Sequence, residues 1–282
     1  MNHPAEMMIH QYLDKASKGE TTVNTSTVNQ ICKDVRDAVV RQFGGGNKRE
    51  GFAFRMSNVG RPSCQLWFEK NKPQEALPKS TTFIMNMMIG DIVEAVFKGI
   101  LKEAGVKYED SRRVTLDIGK DAPQSVVTGE YDIVIDGAVD DVKSASDWSY
   151  RNKFESFDTL KDGDTFGYVS QLAGYASASG KKAGGWWVVN KANGKIKYVP
   201  ADNLDVQEEV DKIKDNMKSV DKFERCFEPE DEMFNRKPTG NKILPVPCRF
   251  CSYRKACHPS LQELPSKVSK AKFPKMVYYV DG

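Results

Sequence analysis

With 282 residues, 39% of them hydrophobic and 29% charged, the chain can bury one large core or two smaller ones. Its 42 Lys and Arg against 39 Asp and Glu leave a net charge of +3, which permits a nucleic-acid partner without demanding one. No apolar run is long enough to span a membrane and residues 1–15 lack a signal-peptide pattern, so a soluble, cytoplasmic protein with no membrane partner is expected.

From His3 to about Lys18 the chain reads as a helix. Thr25 or Ser26 can cap a second, with an apolar stripe of Val28, Ile31, Cys32, Val35, Val39 and Val40 that ends at Gly44-Gly45-Gly46. Residues 1–50 thus form a helical appendage, with Cys32 in its core. Cys64 follows Pro62-Ser63 and precedes the amphipathic segment QLWFEK. Ser80 or Thr81 opens a long helix to about Glu103, stopped by Gly105. Its buried stripe is expected to be Met85, Met88, Ile89, Ile92, Val93, Val96 and Ile100. Glu94 lies off that stripe and can pair with Lys98 at i+4. Gly90, one turn earlier, would let the helix approach a sheet. Arg113 to Gly119 reads as a strand.

The stretch VVTGEYDIVIDGAVDDVK, Val126 to Lys143, is the most informative. Val127, Gly129, Tyr131, Ile133 and Ile135 alternate with Thr128, Glu130, Asp132 and Val134, the period of a strand. Asp136-Gly137 is a strong two-residue hairpin turn. Counting back from it, Ile135 faces Ala138, Asp132 faces Asp141, and Glu130 faces Lys143. Like charges directly opposite are destabilising, and a divalent cation between them would remove the repulsion. Oxygen ligands of this kind suit Mg²⁺ or Mn²⁺. Lys143 shares a face with Asp141 and could orient a water or stabilise developing charge. A solvated hairpin face with a Glu130–Lys143 pair fits the same residues.

Ser144 to Asp162 reads as a loop, and Asp164 or Thr165 as the cap of a helix to Ser179. Gln171 and Tyr175 share a side of that helix at i, i+4, as a surface pair or as part of a site. Gly185–Asn190 and Lys195–Val199 form a second hairpin, and Asn203–Val220 an amphipathic helix. Residues 228–245 read as an irregular excursion. The tail interleaves Lys267, Lys270, Lys272 and Lys275 with Phe273, Tyr278 and Tyr279, a pattern that can track a nucleic-acid strand or simply be solvated.

Of six cysteines, Cys248, Cys251 and Cys257 stand at C-x2-C-x5-C spacing. Thiols this close imply a metal or cluster. The fourth ligand is open among Cys64, Cys226, Cys32 and His258, and spacing alone does not separate Zn²⁺ from iron–sulfur.

Taken in order, these elements resemble the PD-(D/E)XK nuclease superfamily, and within it the RecB-type exonucleases that carry an iron–sulfur cluster, a group that includes CRISPR-associated exonucleases and the AddB nuclease domain. The resemblance runs from Cys64 through Glu94, Asp132, Asp141-Val142-Lys143 and Gln171-Leu-Ala-Gly-Tyr175 to Cys257. Tyr131 replaces the signature proline, and Glu94 stands where many members have His. The fold implied is α/β, a restriction-endonuclease-like mixed central sheet flanked by helices. The implied domains are the appendage at 1–50, a nuclease core at 51–240, and an Fe–S motif with a basic tail at 241–282. The resemblance further implies that Glu94, Asp132, Asp141 and the Val142 carbonyl bind Mg²⁺ or Mn²⁺ and that Lys143 positions or deprotonates water. Gln171 and Tyr175 would hold the lysine or a substrate phosphate. Cys64, Cys248, Cys251 and Cys257 would hold a [4Fe–4S] cluster, leaving Cys32 and Cys226 free, with zinc as the alternative. The implied activity is a metal-dependent DNA exonuclease acting on ends or single strands in DNA processing, recombination or repair. Its partners would be DNA and recombination or replication proteins, in a bacterial or phage setting. Two other readings are a non-catalytic DNA-binding or assembly module with structural zinc, and a structure-specific endonuclease on the same core.

Overall fold

The computed structural model describes residues 3–44, 51–120, 122 and 124–280; the expected loop glycines Gly45 and Gly46 lie outside them. The helices, in chain order, are α1 (Pro4–Ser17), α2 (Thr25–Phe43), α3 (Ser63–Asn71), α4 (Thr81–Glu103), α5 (Phe157–Asp162), α6 (Tyr168–Ser179), α7 (Val206–Ser219), α8 (Val246–Arg249) and α9 (Arg254–Cys257). The strands are β1 (Tyr108–Asp117), β2 (Val126–Ile135), β3 (Ala138–Ala145), β4 (Lys182–Asn190), β5 (Ile196–Pro200), β6 (Glu230–Phe234), β7 (Lys237–Ile243), β8 (Gln262–Pro265) and β9 (Met276–Val280). The protein is mixed α/β. Its contacts divide it into two units, Met1–Gly60 with Ser80–Met217, and Arg61–Lys79 with Lys218–Gly282.

The first unit is built on a five-stranded sheet in the order β1-β2-β3-β4-β5. Its β3–β4 pair is parallel and the others antiparallel, so the sheet is mixed. The β2–β3 turn forms where the sequence places it. Asp136 at φ 50° and Gly137 at φ 78° both take the left-handed conformation that a two-residue hairpin of this kind requires. Val127, Tyr131, Ile133 and Ile135 are buried, as the alternation predicts.

Helices α1 and α2 are not an appendage. Ala5 and Ile9 of α1 sit in one apolar cluster with Phe97, Leu101, Ile133, Ile135, Val142 and Trp187. Helix α2 lies along α4, where a side chain at Gly99 would stand 2.5 Å from Ile31 Cδ1. The contact face of α2 is therefore rotated from the expected stripe: Thr27 and Ala38 are buried, Val28, Val39 and Val40 are exposed, and so is Cys32. Helix α4 is likewise rotated. Phe97 and Leu101 are fully buried while Met85 and Val96 are exposed. The cause is that α4 has neighbours on two sides, α2 on one and β3 on the other, so no single apolar stripe describes it. The face carrying Glu94, Phe97 and Leu101 is turned inward.

Ser144–Asp162 is more ordered than a loop. A π-helical turn, Ser149–Lys153, and the short α5 occupy it. Helix α6 begins three residues beyond its expected cap. Asp164 still serves its N-terminus, accepting the Gly167 N–H at 3.0 Å and the Val169 N–H at 2.8 Å.

The second unit carries a four-stranded sheet, β6-β7-β9-β8. Residues 228–245, expected to be irregular, form the β6–β7 hairpin, whose turn places Asn235 and Arg236 at positive φ. The tail is not simply solvated: β9 pairs with β7 and β8, and the Tyr279 hydroxyl donates to Glu232 Oε1 at 2.9 Å. Segment 61–79 belongs here rather than with the sheet of the first unit, and its Leu77 N–H donates to Ser252 O at 2.8 Å.

Candidate active site and cysteine pocket

In the first unit the β2–β3 ladder runs from Ile135↔Ala138 to Ile133↔Asp140. Beyond it β3 pairs with β4, Asp141↔Trp186 and Val142↔Trp187, after an irregularity at Val139/Asp140. Where the next β2–β3 rung would fall, Asp132 Oδ2 accepts the Val142 N–H at 2.7 Å. A carboxylate thus takes the place of a backbone carbonyl. In a strand the N–H and C=O of one residue point to the same side, so the Val142 carbonyl points toward Asp132 as well.

The Lys143 ammonium lies 2.5 Å from Asp141 Oδ2. That oxygen is buried, and among the described residues the ion pair is its one polar contact. Burial and the Asp141 charge raise Asp132 to about 7. Burial raises Asp141 too, with Lys143 opposing. Burial works against the Lys143 charge, but Asp141 and Asp132 more than offset it and hold its pKa above the ordinary lysine value. The expected Glu130–Lys143 pairing is not made. Glu130 is exposed and stands opposite Arg113 on β1.

Glu94 comes to this cluster from α4. Burial first, then the Asp132 charge, raises its pKa, while Lys98 and Lys143 lower it. Its carboxylate is paired with Lys98 at 2.9 Å, and Lys98 is shared with Asp110 at 3.0 Å. Gly90 does mark the approach of α4 to β3, but a side chain there would stand an ordinary 3.6 Å from Ser144 Oγ. From α6, Gln171 Nε2 donates to Tyr175 Oη at 3.1 Å. Tyr175 is buried, so this is not a surface pair, and burial with the charges of Asp141 and Asp132 raises the Tyr175 pKa. Gly129 makes room for it: a Cβ there would stand 2.7 Å from Tyr175 Cε1 and 2.6 Å from Met56 Cβ.

Sequence reasoning missed part of this neighbourhood. The Lys143 ammonium lies 4.9 Å from the Tyr168 ring centroid, and Lys153 from the π-helical turn lies 4.6 Å from the same ring. Lys153 also stands 4.7 Å from the Phe166 ring and 3.8 Å from Asp164. Burial and the Lys143 charge lower its pKa, with Asp164 opposing. Asp140, next to Asp141, points the other way and is structural. It accepts the Gly185 N–H, the Tyr198 hydroxyl and the Trp187 indole N–H at 2.8, 2.9 and 3.2 Å.

In the second unit a pocket open to solvent is lined by Cys64, Cys248, Cys251, Cys257 and His258, with Phe68 and Arg254. Burial, then Cys257 and Cys251, pushes Cys248 up to about 12, and burial pushes Cys251 up to about 11. His258 Nε2 is buried, with no hydrogen bond among the described residues. Cys226 adjoins Cys64: its Sγ accepts the Cys64 N–H at 3.1 Å. Among the described residues no three His, Cys, Asp or Glu side chains stand in the arrangement of a ligand set for one ion.

No protein-family model matches the chain, and no curated protein matches it. Among solved structures it is similar to one described as the crystal structure of SSO0001, over 82% of this chain and 95% of that one, at 13% identity and a TM-score of 0.44. A likeness that low carries no argument about function.

Proposed function

We propose that the protein is a metal-dependent deoxyribonuclease of the PD-(D/E)XK type, with a restriction-endonuclease-like first unit and a cysteine-held [4Fe–4S] cluster in the second. The observation that carries this reading is the cluster at the end of the β2–β3 ladder, where Asp132, Asp141 and Lys143 sit together with Glu94 and Tyr175 close enough to shift one another's charge. The buried carboxylate of Asp141, the half-buried one of Asp132 and an inward carbonyl are hard oxygen donors of the kind Mg²⁺ and Mn²⁺ take. Glu94, Asp132, Asp141 and the Val142 carbonyl would hold the ion. Bound there, it would lower the pKa of a water and neutralise phosphate charge. Lys143 orients the attacking water or takes its proton. Tyr175, steadied by Gln171, holds the lysine or a phosphate oxygen.

In the second pocket four thiols line one apolar recess, and thiolate is the donor type a cluster takes, which supports this reading. Cys64, Cys248, Cys251 and Cys257 would be its ligands. DNA is the proposed partner, and an exonuclease acting on ends or single strands is the favoured form.

The test is cleavage of end-labelled single- and double-stranded DNA with Mg²⁺, Mn²⁺ or EDTA. Metal-dependent shortening from ends is expected. Intact DNA in every condition overturns the reading. Cutting of covalently closed circular DNA would instead identify an endonuclease.

A further inference from the structure

Five thiols, not four, meet in the second unit, and two of them touch. Cys226 Sγ accepts the Cys64 backbone N–H at 3.1 Å and stands 3.4 Å from Ser63 Oγ. Ser63 and Cys64 open the nine-residue α3, so the sulfur of Cys226 lies on the donor end of a helix. The segment bearing Cys226 is held in place beside it. Arg225 Nη2 donates to Cys257 O at 3.0 Å and its Nη1 pairs with Glu228 at 3.1 Å. Elsewhere in the pocket, Cys251 Sγ takes the Tyr253 N–H at 3.4 Å.

We propose that Cys226 is an oxidation site, and that a peroxide links it to Cys64 as a disulfide when the pocket holds no metal. The Cys226 sulfur attacks one peroxide oxygen; the O–O bond breaks, sulfenic acid forms, and the other oxygen leaves with the Cys226 thiol proton as water. The Cys64 thiol then attacks the Cys226 sulfur, the S–O bond breaks, and the hydroxyl leaves with the thiol proton as a second water. Two sulfurs lose one electron each and one peroxide is reduced to two waters. Contact with Cys64 places the resolving thiol beside the Cys226 sulfur and favours the disulfide over further oxidation. The consequence, which rests on the cluster reading, is that the disulfide removes Cys64 from the ligand set, so oxidised protein cannot load a cluster until a thiol reductant frees it.

The test uses the full-length protein, stripped of iron by a chelator under nitrogen and exposed to hydrogen peroxide. After alkylation, mass spectrometry should find the chain lighter by two alkyl groups than the reduced, alkylated protein, with a Cys64–Cys226 cross-linked peptide that dithiothreitol cleaves. Cys226→Ser should abolish the cross-link, and Cys32→Ser should retain it. A cross-link among Cys248, Cys251 and Cys257 with Cys64 and Cys226 both alkylated would overturn the proposal, as would sulfinic acid at Cys226 with no cross-link. Protein that forms the link but never carries iron would uphold the oxidation site while removing the cluster. Oxidised protein that takes up iron as fast as the reduced form would remove the consequence for loading.

Discussion

Asp132, Asp141 and Lys143 place two carboxylates and one ammonium in a poorly solvated corner. Without a metal the second negative charge is not compensated. Asp132, raised to about 7 from an ordinary 3.8, therefore binds its proton more tightly folded than unfolded. The sign follows: its contribution to stability is whole below about pH 4 and is lost as pH rises through about 7. Asp140, also raised to about 7 by burial, adds to the same window. The metal-free protein should thus melt progressively lower between about pH 4 and pH 7, and Asp132→Ala should flatten part of that fall. An unchanged slope in the variant would mean another group titrates. In the proposed nuclease, Asp132→Ala or Asp141→Ala should abolish cleavage with the fold intact, and full activity in either would remove the site assignment. Lys143 has a different role. Lys143→Ala should still bind Mn²⁺, measured by calorimetry, yet lose on the order of 10²-fold in turnover, as for a lost proton-transfer or electrostatic group. Lost Mn²⁺ binding would make Lys143 structural.

At the scale of elements, the site depends on β2 and β3 parting after Ile133↔Asp140 and on α6 pressing close behind β2. Asp132 can receive the Val142 N–H only because the ladder stops there. The close approach of α6 is bounded at Gly129, where a methyl group would collide with Met56 and Tyr175. Gly129→Ala should cost about 1–3 kcal/mol, as overpacking of a filled core does. It should also reduce turnover by displacing Tyr175. Urea melts with wild-type stability would show that α6 stands further off than the structure has it. The π-helical turn is the other element that matters, because it delivers Lys153 to the Tyr168 ring. Such turns recur at functional sites, but five residues of polar and aromatic sequence carry no periodicity by which to read one.

At the scale of the whole molecule, the second unit is assembled from two stretches of chain, 61–79 and 218–282, with the whole of 80–217 between them. Cys64 on the first stretch and Cys248, Cys251 and Cys257 on the second line one pocket. A cluster bound there would close a loop of nearly two hundred residues in the unfolded chain, so Cys64→Ala should lower the melting temperature as well as remove colour and iron. Iron retained in Cys64→Ala but lost in Cys226→Ala would transfer the fourth ligand to Cys226. The sequence by itself determined the local features. The Asp136-Gly137 turn sets the register that brings Asp132 beside Asp141 and Lys143, and the Ser80 cap starts α4. These depend on a few adjacent residues and their backbone preferences, which no distant contact overrode. Tertiary structure alone decided which face of α2 and α4 is buried, that α1 completes the core, that Glu94 and Tyr175 turn toward the carboxylates, and that Cys226 meets Cys64. The physical reason is that an apolar stripe reports how much surface must be hidden but not which neighbour hides it. Contacts between residues 160 positions apart leave no periodic trace in either segment.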